Sequence, residues 1–307
     1  MSFLSGYGNL YGMPITEVGG HRFKISHLDR VLWPQTGTTK AELLHYYATV
    51  GEVMLPHLRG RQVSFVRTPD GVEGQRFFQK RPPAGTPDWV TVVETVRNSG
   101  ETMEQVQVND LATLIWAGNL SCVEIHTHQW LADEPGSADR LVLDLDPGPG
   151  RTVVDCCKVA LLLRDRLAED GITSFAKTSG SKGLHLLAAL RGASPRSASD
   201  YARAIARELE VRHPDTVISR MTRADRAGRV FIDWSQNAAR KTTAAPYTVR
   251  ARETPTVSTP VSWREVAAAR RPEQLGFTID DVPGRVAADG DLMAGLLDPG
   301  SAGALPG

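Results

Sequence analysis

The run Leu141-Val-Leu-Asp-Leu-Asp-Pro-Gly-Pro-Gly150 limits the fold more than any other stretch of the chain. In a strand, residues i and i+2 face the same side, so Asp144 and Asp146 stand side by side, Cα atoms about 6.5–7 Å apart. Leu141, Val142, Leu143 and Leu145 mark that strand as interior. Charged residues are seldom buried without a partner. Two like charges this close repel unless a basic side chain or a metal ion lies between them. Pro147-Gly148 then breaks the strand, as at the mouth of a site. The plainer alternative is a solvated strand end whose acids are salt-bridged. A hard divalent cation takes oxygen ligands, and Mg²⁺ is usually held by one or two carboxylates plus substrate phosphates.

Asp233 repeats the pattern, a single carboxylate in the apolar strand Val230-Phe-Ile-Asp-Trp234. Alone it reads as a strand-end acid; with the other two it makes a two-metal site plausible. The loop Ser179-Gly-Ser-Lys-Gly183 separates two strands. Small residues let backbone approach an anion and Lys182 adds charge. The spacing is not that of a P-loop, and a plain hairpin turn is the competing reading. His185, on the next strand, reads as core from spacing. His126 and His128 alternate after Cys122, an incomplete zinc set that lacks a fourth ligand, so His126 reads better as a substrate contact.

Lys+Arg and Asp+Glu both number 35, so a nucleic-acid binder of this composition must segregate its charge. It does so modestly. Nine Lys/Arg against three Asp/Glu lie between Arg212 and Arg252, and the segment after Phe277 is acidic. Arg220, Arg223, Arg226, Arg229, Arg240, Lys241, Arg250 and Arg252 flank Asp233 on both sides, as a polyphosphate or nucleic-acid site requires. Phe77-Phe78, beside Arg67, Arg76 and Lys80, supplies rings that can stack on a base, although strand alternation assigns at least one of them to the core.

The three cysteines, Cys122, Cys156 and Cys157, make no disulfide framework and point to a reducing compartment. No apolar run approaches the ~18 residues of a membrane span and no signal peptide is evident, so the expected location is the cytoplasm. The spacing predicts a loose arm over 1–20, one domain over 21–285 and a flexible tail over 286–307. Expected helices run from the Thr39-Lys-Ala-Glu42 capping box to about Val53, from an Asn109 cap to about Asn119, over Thr152–Glu169 and over Ser197–Glu210, with a further capping box at Ser262. Expected strands are Val63–Arg67, Arg76–Gln79, Cys122–His126, Leu141–Asp146, Ile172–Lys177, Leu184–Leu190 and Val230–Trp234. This irregular alternation is α/β (α+β) with mixed sheets.

Four motifs in order, LVLDLDPG, KTSGSKGLH, RVFIDWSQN and KTTAAPYTVRAR, resemble the polymerase domain of bacterial ligase D, a branch of the archaeo-eukaryotic primase superfamily. SHLDRVLWPQTGTTKAELLHYY, FFQKRPPAGTPDWV and CVEIHTHQW extend the resemblance over roughly 20–285. It implies a primase-like core and a template-directed nucleotidyltransferase that uses two divalent ions, Mn²⁺ or Mg²⁺, and often prefers ribonucleotides. By position it makes Asp144, Asp146 and Asp233 the metal ligands. Ser179, Lys182 and Arg250 become holders of the incoming triphosphate, with His126 near that nucleotide. Phe77 and Phe78 fall beside the templating base, Arg226 near the primer–template junction, and Lys40 in a pocket for a 5′-phosphate across a gap. Arg30 stands, with His27, where relatives often carry Lys and Asn, and Arg67 stands where a lysine is usual. The implied partners are gapped or broken DNA, NTP or dNTP, a Ku-type protein and a DNA ligase, in the bacterial nucleoid. No ligase Lys-x-Asp-Gly motif is present, so the chain reads as a polymerase module, stand-alone or cut from a larger chain. The segment between Trp130 and Leu141 is short, which suits gap filling in excision repair as an alternative to end joining. The competing functions are a non-catalytic DNA-end binder, which needs no acid trio, and a metal-dependent nuclease, which needs no triphosphate.

Overall fold

The computed structural model describes residues 9–10, 13–96 and 102–306. Among the described residues its architecture is the expected α+β one, six α-helices and mixed sheets. Helix α1 (Lys40–Leu58) opens on the anticipated box, Thr39 accepting from the Glu42 amide and Glu42 accepting from the Thr39 amide. It runs past Val53 and carries Pro56 in its last turn. Helix α2 (Leu111–Asn119) is capped by Asp110, which accepts from the Thr113 amide at 2.8 Å. Asn109, the expected cap, instead accepts from the Gly60 amide at 2.9 Å. These helices pack with a four-stranded sheet ordered Thr243–Ala244, Cys122–Thr127, Val63–Arg67, Phe77–Gln79.

The larger sheet has six strands, ordered Val217–Ile218, Val230–Asp233, Ala138–Pro147, Leu184–Ala193, Ser174–Thr178, Pro260–Val261. Only the Val217–Ile218 pairing is parallel. Residue parity splits this sheet into two faces. Leu141, Leu143, Leu145, Leu184, Leu186 and Ile232 pack with residues of α3 (Val153–Glu169) and α4 (Pro195–Arg212). Val142, Leu187 and Ala189, of opposite parity, pack with Met293 and Leu296. The acids lie on that second face, beyond the apolar cover.

Two expectations about the ends give way. The 286–307 segment is no loose tail. After α5 (Trp263–Ala268) and α6 (Val282–Asp289), Asp291 accepts from His57 at 2.8 Å and from the Tyr247 hydroxyl at 2.6 Å. Met293 is fully buried, and Gly303 bridges to Leu190. Its scattered Met and Leu find a sheet face that only tertiary structure supplies. Within the expected 1–20 arm, Met13–Val18 is a strand antiparallel to His21–Lys24; residues 1–8 and 11–12 lie outside the described residues. A hairpin of Val92–Val96 with Thr102–Val106 was also not anticipated. No helix among the described residues is long and apolar enough to cross a membrane.

Candidate active site

Antiparallel register assembles the site. Asp144 lies directly opposite Asp233 on one neighbouring strand and His185 on the other, and His185 lies opposite Lys177. Cross-strand partners share a face, so Asp233, Asp144, His185 and Lys177 form one row across four strands. Asp146, two residues along, is opposite Phe231. Asp144 Oδ1 is 3.2 Å from His185 Nε2. The Gln236 side-chain amide reaches both Asp233 Oδ2, at 3.1 Å, and Asp144 Oδ2, at 3.4 Å. Asp233 Oδ1 accepts from the Ser235 amide and hydroxyl at 2.9 and 2.6 Å.

The charges are unevenly compensated. Burial pushes the Asp144 carboxyl up, but contact with His185 and the charges of Lys177 and Arg250 outweigh it and hold it below the usual range. Burial and the neighbouring Lys177 bring His185 down to about 4. A lysine beside the imidazole opposes a second positive charge, so the pair is an ionised Asp144 and a neutral His185. Partial desolvation, then the Asp144 and Asp233 charges, push Asp146 up to about 6 despite Arg226 and Arg252 nearby. Asp144, Asp146 and Asp233 together present an all-oxygen donor set, which suits a hard divalent cation. Among the described residues no three such side chains already close around an ion; Asp233 is turned onto Ser235 and Gln236.

The Ser179–Gly183 loop faces the same strand end. Ser179 Oγ accepts from the Ser181 and Gly183 amides at 3.2 and 3.1 Å, so its hydroxyl shapes the loop. Gly183 is obligatory by packing, since a Cβ there would stand 2.0 Å from the Leu145 carbonyl oxygen. Lys182 is exposed at the tip. Arg250 donates to the Ser179 carbonyl, and its Nε lies 3.1 Å from Glu124 Oε2. That glutamate is buried, hydrogen-bonds His126 at 2.7 Å and accepts from the Ala251 amide at 2.8 Å. Burial opposes ionisation, but His126 and Arg250 bring Glu124 down to about 2. Sequence reasoning missed Glu124, although it shares the even-numbered positions of the Cys122–His126 strand with His126. A bulge between Cys122 and Glu124 sets that face, and bulges commonly re-aim side chains near sites.

The expected DNA contacts fall into two places. Phe77 and Phe78 are both exposed, 41% and 55%, against the expectation that one is core. Their strand is the edge of its sheet, and neither of its faces is covered at these positions. Phe78 meets the His126 ring edge-on at 5.9 Å, and Lys80 lies 5.9 Å from the Phe78 ring centre. Lys40, Arg30 and Arg67 gather instead around the C-terminal end of α2. Lys40 Nζ donates to the Asn119 carbonyl at 2.8 Å, and Arg67 Nε donates to the Leu120 carbonyl at 3.1 Å. Burial and Arg30 bring Lys40 down to about 8. Arg30 itself donates to the Pro69 carbonyl at 2.5 Å. Arg226 lies 3.6 Å from the Phe231 ring centre, flanking Asp146. His185 is core, as expected, yet bonded to Asp144; Lys177, Gln236 and Ser258 were not anticipated as site residues.

A family model described as LigD, primase-polymerase domain, matches residues 39–293. The multifunctional non-homologous end joining protein LigD of Mycolicibacterium smegmatis is 41% identical over 278 residues, 90% of this chain and 36% of the relative. The protein of the same description from Pseudomonas aeruginosa is 32% identical over 89% of this chain and 32% of its own length. The chain thus spans about a third of these relatives. Among solved structures, the polymerase domain of Mycobacterium tuberculosis ligase D in complex with DNA superposes with a TM-score of 0.85 at 40% identity. That match covers 90% of this chain and 98% of the other.

Proposed function

Because the chain belongs to the LigD primase-polymerase domain family, we propose that it adds nucleotides to a primer 3′-hydroxyl, templated by DNA, at gaps or broken ends. The observation that carries this reading is the register that sets Asp233 beside Asp144, with Asp146 next to them and pushed up to about 6, first by desolvation and then by its acidic neighbours. Asp144, Asp146 and Asp233 would hold Mn²⁺ or Mg²⁺, two ions in this reading. Bound there, the metal supplies charge neutralisation and a more acidic primer hydroxyl. Lys182 meets the triphosphate from the loop tip. Arg250, fixed by Glu124 and Ser179, keeps the loop facing the acids, and its remaining guanidinium nitrogen serves the phosphates. His126 lies between this loop and Phe78, where sugar and base would sit. Phe77 and Phe78 stack on template bases, Arg226 tracks the primer–template junction, and the Lys40–Arg30–Arg67 group receives a 5′-phosphate. Positioning and charge stabilisation then do most of the catalytic work.

The relatives' names favour end joining; the partners in this reading are a Ku-type protein and a DNA ligase, in the bacterial nucleoid. The short Trp130–Leu141 segment favours excision-repair gap filling as a second role. The test is extension on a gapped duplex carrying a 5′-phosphate, with rNTP or dNTP and Mn²⁺ or Mg²⁺. Extension that disappears in Asp144→Ala/Asp146→Ala while DNA binding persists supports the enzyme. Binding without extension under either metal replaces it with a DNA-end-binding module.

A further inference from the structure

Tyr247 is buried, yet its φ is +67°, a left-handed backbone that a bulky residue rarely adopts. Such strain persists only where the surroundings over-determine it, and it gathers at functional sites. Hydrogen bonds hold Tyr247 at its backbone and at its ring. Its amide donates to the Ser258 carbonyl at 2.8 Å, and its carbonyl accepts from the Tyr46 hydroxyl of α1 at 2.8 Å. Its own hydroxyl donates to Asp291 Oδ1 at 2.6 Å. Asp291 is fixed in turn by His57 Nε2 of α1 at 2.8 Å and by the Met293 amide at 2.9 Å.

The turn changes what the chain runs beside. Up to Ala245 it pairs with the Cys122–Thr127 strand, the Ala245 amide donating to the Ile125 carbonyl at 3.0 Å. From Tyr247 on it pairs with residues 256–258, the Ser258 amide donating to the Thr248 carbonyl at 2.9 Å and the Arg250 amide to the Thr256 carbonyl at 2.8 Å. The Thr248 hydroxyl keeps one link to the strand left behind, accepting from the Ile125 amide at 2.7 Å. Three residues past the turn, the Arg250 guanidinium reaches the Ser179 carbonyl and Glu124. That seat has no slack, since a Cβ on Gly180 would stand 2.6 Å from Arg250 Cγ.

We propose that Tyr247 is a positioning residue for Arg250: its bonds to Asp291 and Tyr46 hold the left-handed turn that delivers Arg250 to the Ser179–Gly183 loop. The segment after α6 thereby supports nucleotide binding through a residue it never touches. The proposal deepens the nucleotidyltransferase reading and rests on it for the identity of the ligand as a triphosphate.

Tyr247→Phe in the full chain keeps the ring and removes the donor to Asp291. The measurement is steady-state extension of a gapped duplex, with the nucleotide and metal that the wild type uses best. KM for the nucleotide should rise about five-fold, roughly what one lost hydrogen bond is worth. The kcat and the affinity for the duplex, by fluorescence anisotropy, should stay within about two-fold, the pattern of lost ground-state binding. In an Arg250→Lys background, which lacks the guanidinium fork, the same change should move KM by less than about two-fold, because residues that act through one partner are not additive. A tyrosine kept only for packing would lower the melting temperature and leave KM unmoved, or raise it alike in both backgrounds; either result overturns the proposal. Tyr46→Phe, which removes only the bond to the Tyr247 carbonyl, carries the same expectations should Tyr247→Phe fail to fold. Failure of the enzymatic reading shows separately, as wild-type protein that extends no primer with either metal.

Discussion

Asp146→Asn should raise stability while abolishing extension, because Asp146 is held in its charged form against local electrostatics. Its carboxyl moves from 3.8 to about 6, first through desolvation and then through Asp144 and Asp233. A shift of that size corresponds to about 3 kcal/mol at ~1.4 kcal/mol per unit. Asp146 is exposed, so solvent screening reduces this to about 1 kcal/mol. The sign follows from linkage. The folded-state value lies above the unfolded one, so the folded protein binds more protons between roughly pH 4 and 6. The penalty is complete above about pH 6 and fades as the pH falls toward 4. In chelator at pH 7.5, Asp146→Asn should therefore melt about 2 °C higher than wild type, and the gap should close by pH 4. Added Mn²⁺ should raise the wild-type melting temperature and raise the variant's less, since ligand binding to the folded state stabilises it. Scanning calorimetry with and without chelator reads all of this. A variant no more stable than wild type at pH 7.5, or a gap that persists at pH 4, refutes the reasoning.

Phe78→Ala should leave unfolding by urea unchanged within about 0.5 kcal/mol, because the ring is exposed. It should weaken template-strand binding about ten-fold, the loss of one base-stacking contact, measured by fluorescence anisotropy. Gly183→Ala should destabilise by about 1–3 kcal/mol and reduce extension more than DNA binding, because the new Cβ meets the Leu145 carbonyl oxygen at 2.0 Å and pushes the loop off the acid strand. Asp291→Asn should cost about 2 kcal/mol in urea unfolding, since His57, Tyr247 and the Met293 amide all donate to that carboxylate. Burial pushes Asp291 up, but these partners hold it below the usual range. Its contribution is therefore present above the unfolded carboxylate value and lost as the pH falls through the lower folded one, so the variant's deficit should shrink in acid.

What the sequence reveals here depends on where the partner of each residue lies. The two aspartates of the Ala138–Pro147 strand, the Ser179–Gly183 loop and the box that starts α1 are legible because the interaction is local or the pattern has a period. The 286–307 segment is not, because Met293 and Leu296 show no period and gain their burial only from Val142, Leu187 and Ala189 on a distant sheet. Phe77 and Phe78 mislead in the other direction. Alternation assigns one face to a core, but an edge strand need not have one on either side.

The same distinction explains which half of the site is visible. The acids announce themselves, being charges in apolar strands, but the groups that make them tolerable do not. Lys177 is one lysine in a strand of ordinary length, and Glu124 is an even-numbered neighbour of a histidine. Gln236 is an amide after a tryptophan and a serine. Each acquires a role only when antiparallel register places it beside a charge from another strand or an adjoining turn, as Lys177 opposite His185 opposite Asp144. A charged site built across a sheet must therefore be read in two directions. Along the chain it shows the groups that do chemistry, and across the strands it shows the groups that hold them. Arg250 is the residue where both directions meet: on the chain it is one arginine among a basic run. Across the fold it ties Glu124 of the smaller sheet to the Ser179 loop of the larger one. A buried ion pair thus joins the sheet whose exposed edge carries Phe78 to the sheet that carries Asp144.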